Sequence, residues 1–183
     1  MPASKINLGV PLYGQSWTLT SNAIVPPASA AGGALVGPFT WQTGFLAYYE
    51  ICKFVRTAGW QVVHDPTKAI GPYAVSPTSP IYWVGYDDTA MAAVKSKYAL
   101  SKGLGGVMLW DISMDDFRNT CATGVNPVST AIFNTLKGTS PNTTTTTTTK
   151  PLTTSVVTKP TTTNAATTTK SSGLCKQYNI FYK

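Results

Sequence analysis

Residues that could carry acid–base or metal chemistry are scarce in these 183 residues: Glu50 is the only glutamate and His64 the only histidine. The remaining acids are Asp65, the pair Asp87-Asp88, and Asp111, Asp115 and Asp116. A general acid must be held at the reacting atom. Glu50 lies instead in an apolar, aromatic stretch (LAYYEIC) that reads as helix, beside Tyr48, Tyr49 and Cys52. Asp87-Asp88-Thr89 has helix N-cap chemistry, so both aspartates are read as capping. One histidine and three cysteines (Cys52, Cys121, Cys175) leave no Cys/His cluster for zinc. Gly103-Leu-Gly-Gly lacks the Lys-Ser/Thr of a phosphate loop. No metal or cofactor site is expected.

Charge excludes further classes. The net charge is +7, but residues 1–138 carry nine Lys/Arg against seven acids, whereas residues 139–183 hold five Lys and no acid. The basic residues are scattered, without the clustering of a nucleic-acid footprint. No apolar run approaches the ~20 residues of a membrane span. Half of residues 139–172 are Thr; that stretch cannot bury enough apolar surface to offset the entropy of ordering it. It reads as linker.

The elements that must position the chemistry follow from pattern. Residues 6–13 (INLGVPLY) read as a short apolar strand that Pro11 ends or holds at an edge. Residues 16–39, rich in Ala, Gly, Pro and Ser, read as loop and short strand. Residues 43–55 read as a helix, and residues 60–65, 72–75 and 81–86 as short strands between Pro and Gly. Residues 90–101 follow an acidic cap and precede Gly103, a helix with start and stop signals. Residues 106–110 (GVMLW) form the continuous apolar run of a strand buried on both faces. Residues 127–136 open on Pro127 and read as a helix. Helix, glycine stop, buried strand, loop and helix is an α/β rhythm.

Four strings, LGVPLYG, FLAYYEIC, WVGYDD and GLGGVMLWDISMDDF, in this order and spacing, resemble the last portion of glycoside hydrolase family 18 chitinases. The resemblance covers roughly residues 2–137. It implies the C-terminal portion of a (β/α)8 TIM barrel: strands seven and eight, with an α+β insertion over about residues 38–88. The family cuts β-1,4-linked N-acetylglucosamine polymers, using the substrate's own acetamido oxygen as nucleophile. Its proton donor is the Glu of a DxxDxDxE motif, and that pattern does not occur in this sequence. Asp111, Asp115 and Asp116 lack its spacing. No catalytic residue is therefore assigned here. The chain by itself is expected to hydrolyse no chitin and, with two barrel strands, to be marginally stable.

By resemblance, Trp110 forms the floor of the sugar site and Tyr13 hydrogen-bonds the sugar chain. Gln15 stands where the family usually has Arg, which removes the fork needed to pair a carboxylate. Met108 shares a strand face with Trp110; lining the pocket and filling the core are equally good readings. Gln42 falls where relatives carry a sugar-contacting Glu, with a solvated loop residue as the equal alternative. Trp41 is read as cleft wall, Phe45 as core, and Trp83 as packing between insertion and barrel. Trp17 replaces the family's Phe, and Ser113 its Asp.

Cys52 and Cys121 match a pair that forms a disulfide in the family. Cys175 starts a shortened chitin-binding module or lies in plain tail (residues 173–183). The Thr-rich segment resembles mucin-like linkers, and Asn142-Thr-Thr is a glycosylation sequon. No signal peptide is read ahead of the first strand, although the family, linker and cysteines imply a secreted protein. The expected partner is chitin or chito-oligosaccharides, with no nucleic acid and no membrane. Two rivals stand beside this reading: a chitinase-like lectin without hydrolysis, and a mucin-like surface or matrix protein whose Thr tract is the functional part.

Overall fold

The computed structural model describes residues 1–138. Asn142, Cys175, the Thr-rich segment and the tail lie outside the described residues. Leu12 separates two strands that enter different sheets, so the single strand expected over residues 6–13 is two. In chain order the elements are β1 (Asn7–Pro11), β2 (Tyr13–Leu19), β3 (Ala30–Gly33), β4 (Phe45–Ala47), α1 (Tyr48–Thr57), β5 (Gln61–Val63), β6 (Tyr73–Val75), β7 (Tyr82–Gly85), α2 (Thr89–Ser101), β8 (Gly106–Trp110) and α3 (Pro127–Lys137). Leu12 donates its N–H to the Trp110 carbonyl at 2.9 Å, and its own carbonyl accepts from Tyr48 N–H at 3.0 Å. One residue thus ties both sheets together.

β1 and β8 pair in parallel, with Pro11 opposite Trp110. α2 packs on both strands and on α3. The second sheet is antiparallel, in the order β3-β2-β7-β6-β5, with β4 paired to β2. It takes β2 and β3 in addition to strands from residues 38–88. β8 departs from the expected burial: only Val107 is buried, and Trp110 stands in solvent. Among the described residues β8 pairs with β1 alone, and a strand covered on one side keeps exposed positions.

Two apolar cores result. One is centred on Val10, Leu12, Val107, Val128 and Ile132 between the parallel pair and α2/α3. The other, of Leu46, Ile51, Trp60, Ala74 and Val84, lies between α1 and the antiparallel sheet. Tyr86 packs against both.

The helix ends explain two further departures. Residues 43–55 are strand first and helix second, because α1 starts only at Tyr48. Ala47 has no side-chain acceptor to cap it; Glu50, in the first turn, reaches back to the Ala47 N–H at 2.8 Å. Of the two aspartates read as caps, only Asp88 serves, accepting from Met91 N–H at 2.8 Å. Asp87 instead pairs with Lys95. α3 is capped from outside its own segment: Asp115 accepts from Ser129 N–H at 2.8 Å and Ser129 Oγ at 2.6 Å. None of the helices among the described residues is long and apolar enough to cross a membrane.

Candidate functional site

Strand alternation builds the site. Side chains along β2 point to opposite faces in turn: Gly14 and Ser16 go inward, while Tyr13, Gln15 and Trp17 share the outer face. The register extends that face across the sheet. Gln15 is opposite Gly85 and Trp17 opposite Trp83 on β7, and Gly85 is opposite Tyr73 on β6. On the other side Gln15 is opposite Phe45 of β4.

Aromatic rings cover this face. Tyr13 stacks on Phe45 with centroids 4.5 Å apart, and Trp83 stacks on Tyr73 at 5.1 Å. The Trp83 indole folds back over Gly85, where an added Cβ would lie 2.8 Å from a ring carbon. Any larger residue there would lift the indole off the sheet. Between the rings runs a cleft of about 430 Å³, lined by Pro11, Tyr13, Gln15, Tyr73, Trp83 and Asp87 among others. Trp83 therefore faces a cleft, where packing between insertion and barrel had been expected. Its period-2 relation to Gly85 was the signal available in the sequence. Phe45, expected in the core, is half-buried against Tyr13.

Trp110 projects from the C-terminal end of β8 beside Pro11 and is 63 % exposed. Its peptide bond to Asp111 is cis. Met108 is half-buried, its methyl 3.6 Å from where a side chain on Gly9 would begin. Gln42 is exposed in the loop before β4, next to Trp41. Tyr13 and Gln15 thus meet in one cleft, and Trp110, Met108 and Gln42 lie outside its lining.

The carboxylates are engaged elsewhere. Glu50 is 1 % exposed and accepts from Phe39 N–H (2.7 Å), Thr40 N–H (3.1 Å), Thr40 Oγ1 (2.9 Å) and Ala47 N–H. Asp116 accepts from Thr120 N–H at 2.8 Å and Cys121 N–H at 2.6 Å. Asp111 accepts from the Ser113 N–H and hydroxyl, and Asp65 ties its own loop through Thr67, Ala69 and Ile70. Asp87 alone borders the cleft. Burial raises its carboxyl above the usual carboxylate range, while the Lys95 ammonium beside it pulls the other way.

Cys52 and Cys121 are joined by a disulfide across 69 residues, with Cα atoms 5.6 Å apart. Asp116 lies near both sulfurs, but sulfurs bonded to each other are not available as thiolate ligands. This group holds α1 to the segment after β8.

The chain is similar to known chitinases and chitinase-like proteins. The family Glycosyl hydrolases family 18 matches residues 1–115. Probable chitinase 10 of Drosophila melanogaster is 48 % identical over 139 residues, covering 74 % of this chain and 6 % of that protein. Chitinase-3-like protein 2 of Homo sapiens is 40 % identical over 137 residues, covering 74 % and 34 %. The solved structure of human YKL-39, described as a pseudo-chitinase with retained chitooligosaccharide binding properties, superposes with a TM-score of 0.69 at 39 % identity. That match covers 75 % of this chain and 36 % of the other. The chain spans about a third or less of the length of these relatives.

Proposed function

Because the chain belongs to glycosyl hydrolase family 18, we propose that residues 1–138 form the sugar-gripping wall of a chitinase-type cleft. In this reading β1 and β8 are the seventh and eighth strands of a (β/α)8 barrel and the antiparallel sheet with α1 is the insertion. Residues 139–172 then form a glycosylated linker carrying the Asn142 sequon, in a secreted protein. The ligand is a β-1,4-linked N-acetylglucosamine oligomer. Trp110 stacks on a pyranose, Tyr13 and Gln15 hydrogen-bond its hydroxyls, and Met108 and Gln42 complete the contacts.

The single observation that carries this is the placement of Trp110: a large indole left in solvent at a strand's C-terminal end, the position at which barrels bind ligands. It stands opposite Pro11, two residues before Tyr13. Pyranoses offer an apolar face to rings and hydroxyls to phenols and amides.

We assign residues 1–138 no proton donor. Protonating the leaving sugar oxygen contributes ~10²–10⁴-fold to such a reaction, and each carboxylate of this segment already has a structural partner. A second reading, a chitin-oligomer lectin without hydrolysis, is favoured by the likeness to human YKL-39 and its description. What separates the two is whether the full-length protein carries DxxDxDxE with its Glu.

The test is binding of chitohexaose to the full chain by calorimetry. Binding that Trp110→Ala weakens about tenfold supports the proposal. Absence of both chitohexaose binding and chitin retention, together with heavy O-glycosylation, supports the mucin-like reading instead.

A further inference from the structure

The loop of residues 37–44 carries an indole near its middle, exposed to solvent. Trp41 is 79 % exposed, so it adds little to the core. Its backbone is left-handed, with φ of 51°, a conformation unfavourable for a bulky side chain. Such an outlier persists only where its surroundings over-determine it, and these cluster at binding sites.

The surroundings do over-determine it. The buried Glu50 carboxylate grips this loop through the Phe39 and Thr40 N–H groups and the Thr40 hydroxyl. Gly37 passes so close that a Cβ would lie 2.5 and 2.7 Å from the two carboxylate oxygens. The Gly37 carbonyl then accepts from Trp41 N–H at 3.2 Å, closing the turn. Burying a carboxylate is costly unless its hydrogen bonds are complete. Here most of them are spent on a segment whose tip is mostly exposed. The same segment leads into β4, whose Phe45 stacks on Tyr13.

We infer that Trp41 is an additional stacking platform for a chito-oligosaccharide, on the β4 side of the Tyr13–Gln15 strip, and that Glu50 is its positioning residue. The inference rests on the sugar-binding reading above and extends it to the side chains that hold a further sugar unit. Gln42, exposed beside Trp41, supplies an amide to the same unit. A platform fixed before binding loses little conformational entropy when the sugar arrives.

Calorimetric titration of the full chain with chitohexaose tests this. Trp41→Ala is expected to raise Kd about tenfold with the melting temperature unchanged. Glu50→Gln turns an amide donor toward the donors it now accepts from and loosens the loop. Should that variant fail to fold, Thr40→Val removes one hydrogen bond to the same carboxylate and is expected to raise Kd about threefold. Combined with Trp41→Ala, either anchor variant adds less than its loss alone, because it acts chiefly through the indole. Additive losses overturn the role of Glu50. Wild-type affinity in Trp41→Ala, with Trp110→Ala still weakened, overturns the platform and leaves the sugar-binding reading standing. A wild-type chain that does not bind chitohexaose overturns both.

Discussion

Asp115 and Ser129 form a cap in which one carboxylate oxygen receives both the backbone N–H and the hydroxyl of the same residue, at 2.8 and 2.6 Å. The aspartate is fully buried, and its other oxygen accepts from Asp116 N–H at 2.8 Å. Removing the carboxylate leaves donors at the start of α3 unpaired in the core. Asp115→Ala is expected to destabilise the protein by about 3 kcal/mol. Urea unfolding of the two proteins measures it; a difference below about 1 kcal/mol would mean that water replaces the cap.

The disulfide between Cys52 and Cys121 closes a loop of 69 residues. In the chain-entropy account such a crosslink stabilises by about 4 kcal/mol. The Cys52→Ala/Cys121→Ala variant should therefore unfold at markedly lower urea. Equal midpoints for oxidised and doubly substituted protein would show that the denatured chain is already constrained there.

Alkaline pH should weaken the core. Burial, with the nearby charges of Asp115, Asp88 and Asp116, pushes the Tyr48 phenol from 10.0 up to about 12. Above pH 10 the unfolded chain gives up this proton while the folded one keeps it. Stability is thus fully present below pH 10 and is lost as pH rises toward 12, by about 2–3 kcal/mol. Tyr48→Phe should flatten the fall of melting temperature over that range. Tyr86, raised by the same burial, keeps part of the slope. An unchanged slope in the variant would remove Tyr48 from this account.

The chain should release no fluorophore from a chitobiose glycoside. Asp87, beside the Lys95 ammonium, is the acid that borders the cleft, and Glu50, gripped by backbone N–H groups, is the single glutamate of the sequence. Turnover that disappears in Glu50→Gln or in Asp87→Asn would identify a proton donor here after all.

Much of the frame was legible in the sequence because its signals are local. Gly106–Trp110 and the helix between Asp88 and Gly103 matched closely, each marked by an uninterrupted apolar run or by cap and stop residues. The start of α1 was not legible. Ala47 carries no cap of its own, and the cap arrives from Glu50 within the helix. The division at Leu12 was equally hidden, since it depends on partners at Trp110 and Tyr48. In the site, the resemblance marks Tyr13 and Gln15, but their shared face depends on β2, where the residue pattern reads the end of one strand and a loop. Trp83 and Asp87 could be placed only once β7 was set against β2 and α2 against the sheet.

Leu12 has one more consequence. The aromatic at the end of β8 and the phenol at the start of β2 are separated by a fixed run of covalent and main-chain links through that residue. The main chain at one strand end cannot move against the other without breaking one of those links. A backbone shift at either strand end is therefore transmitted to the other.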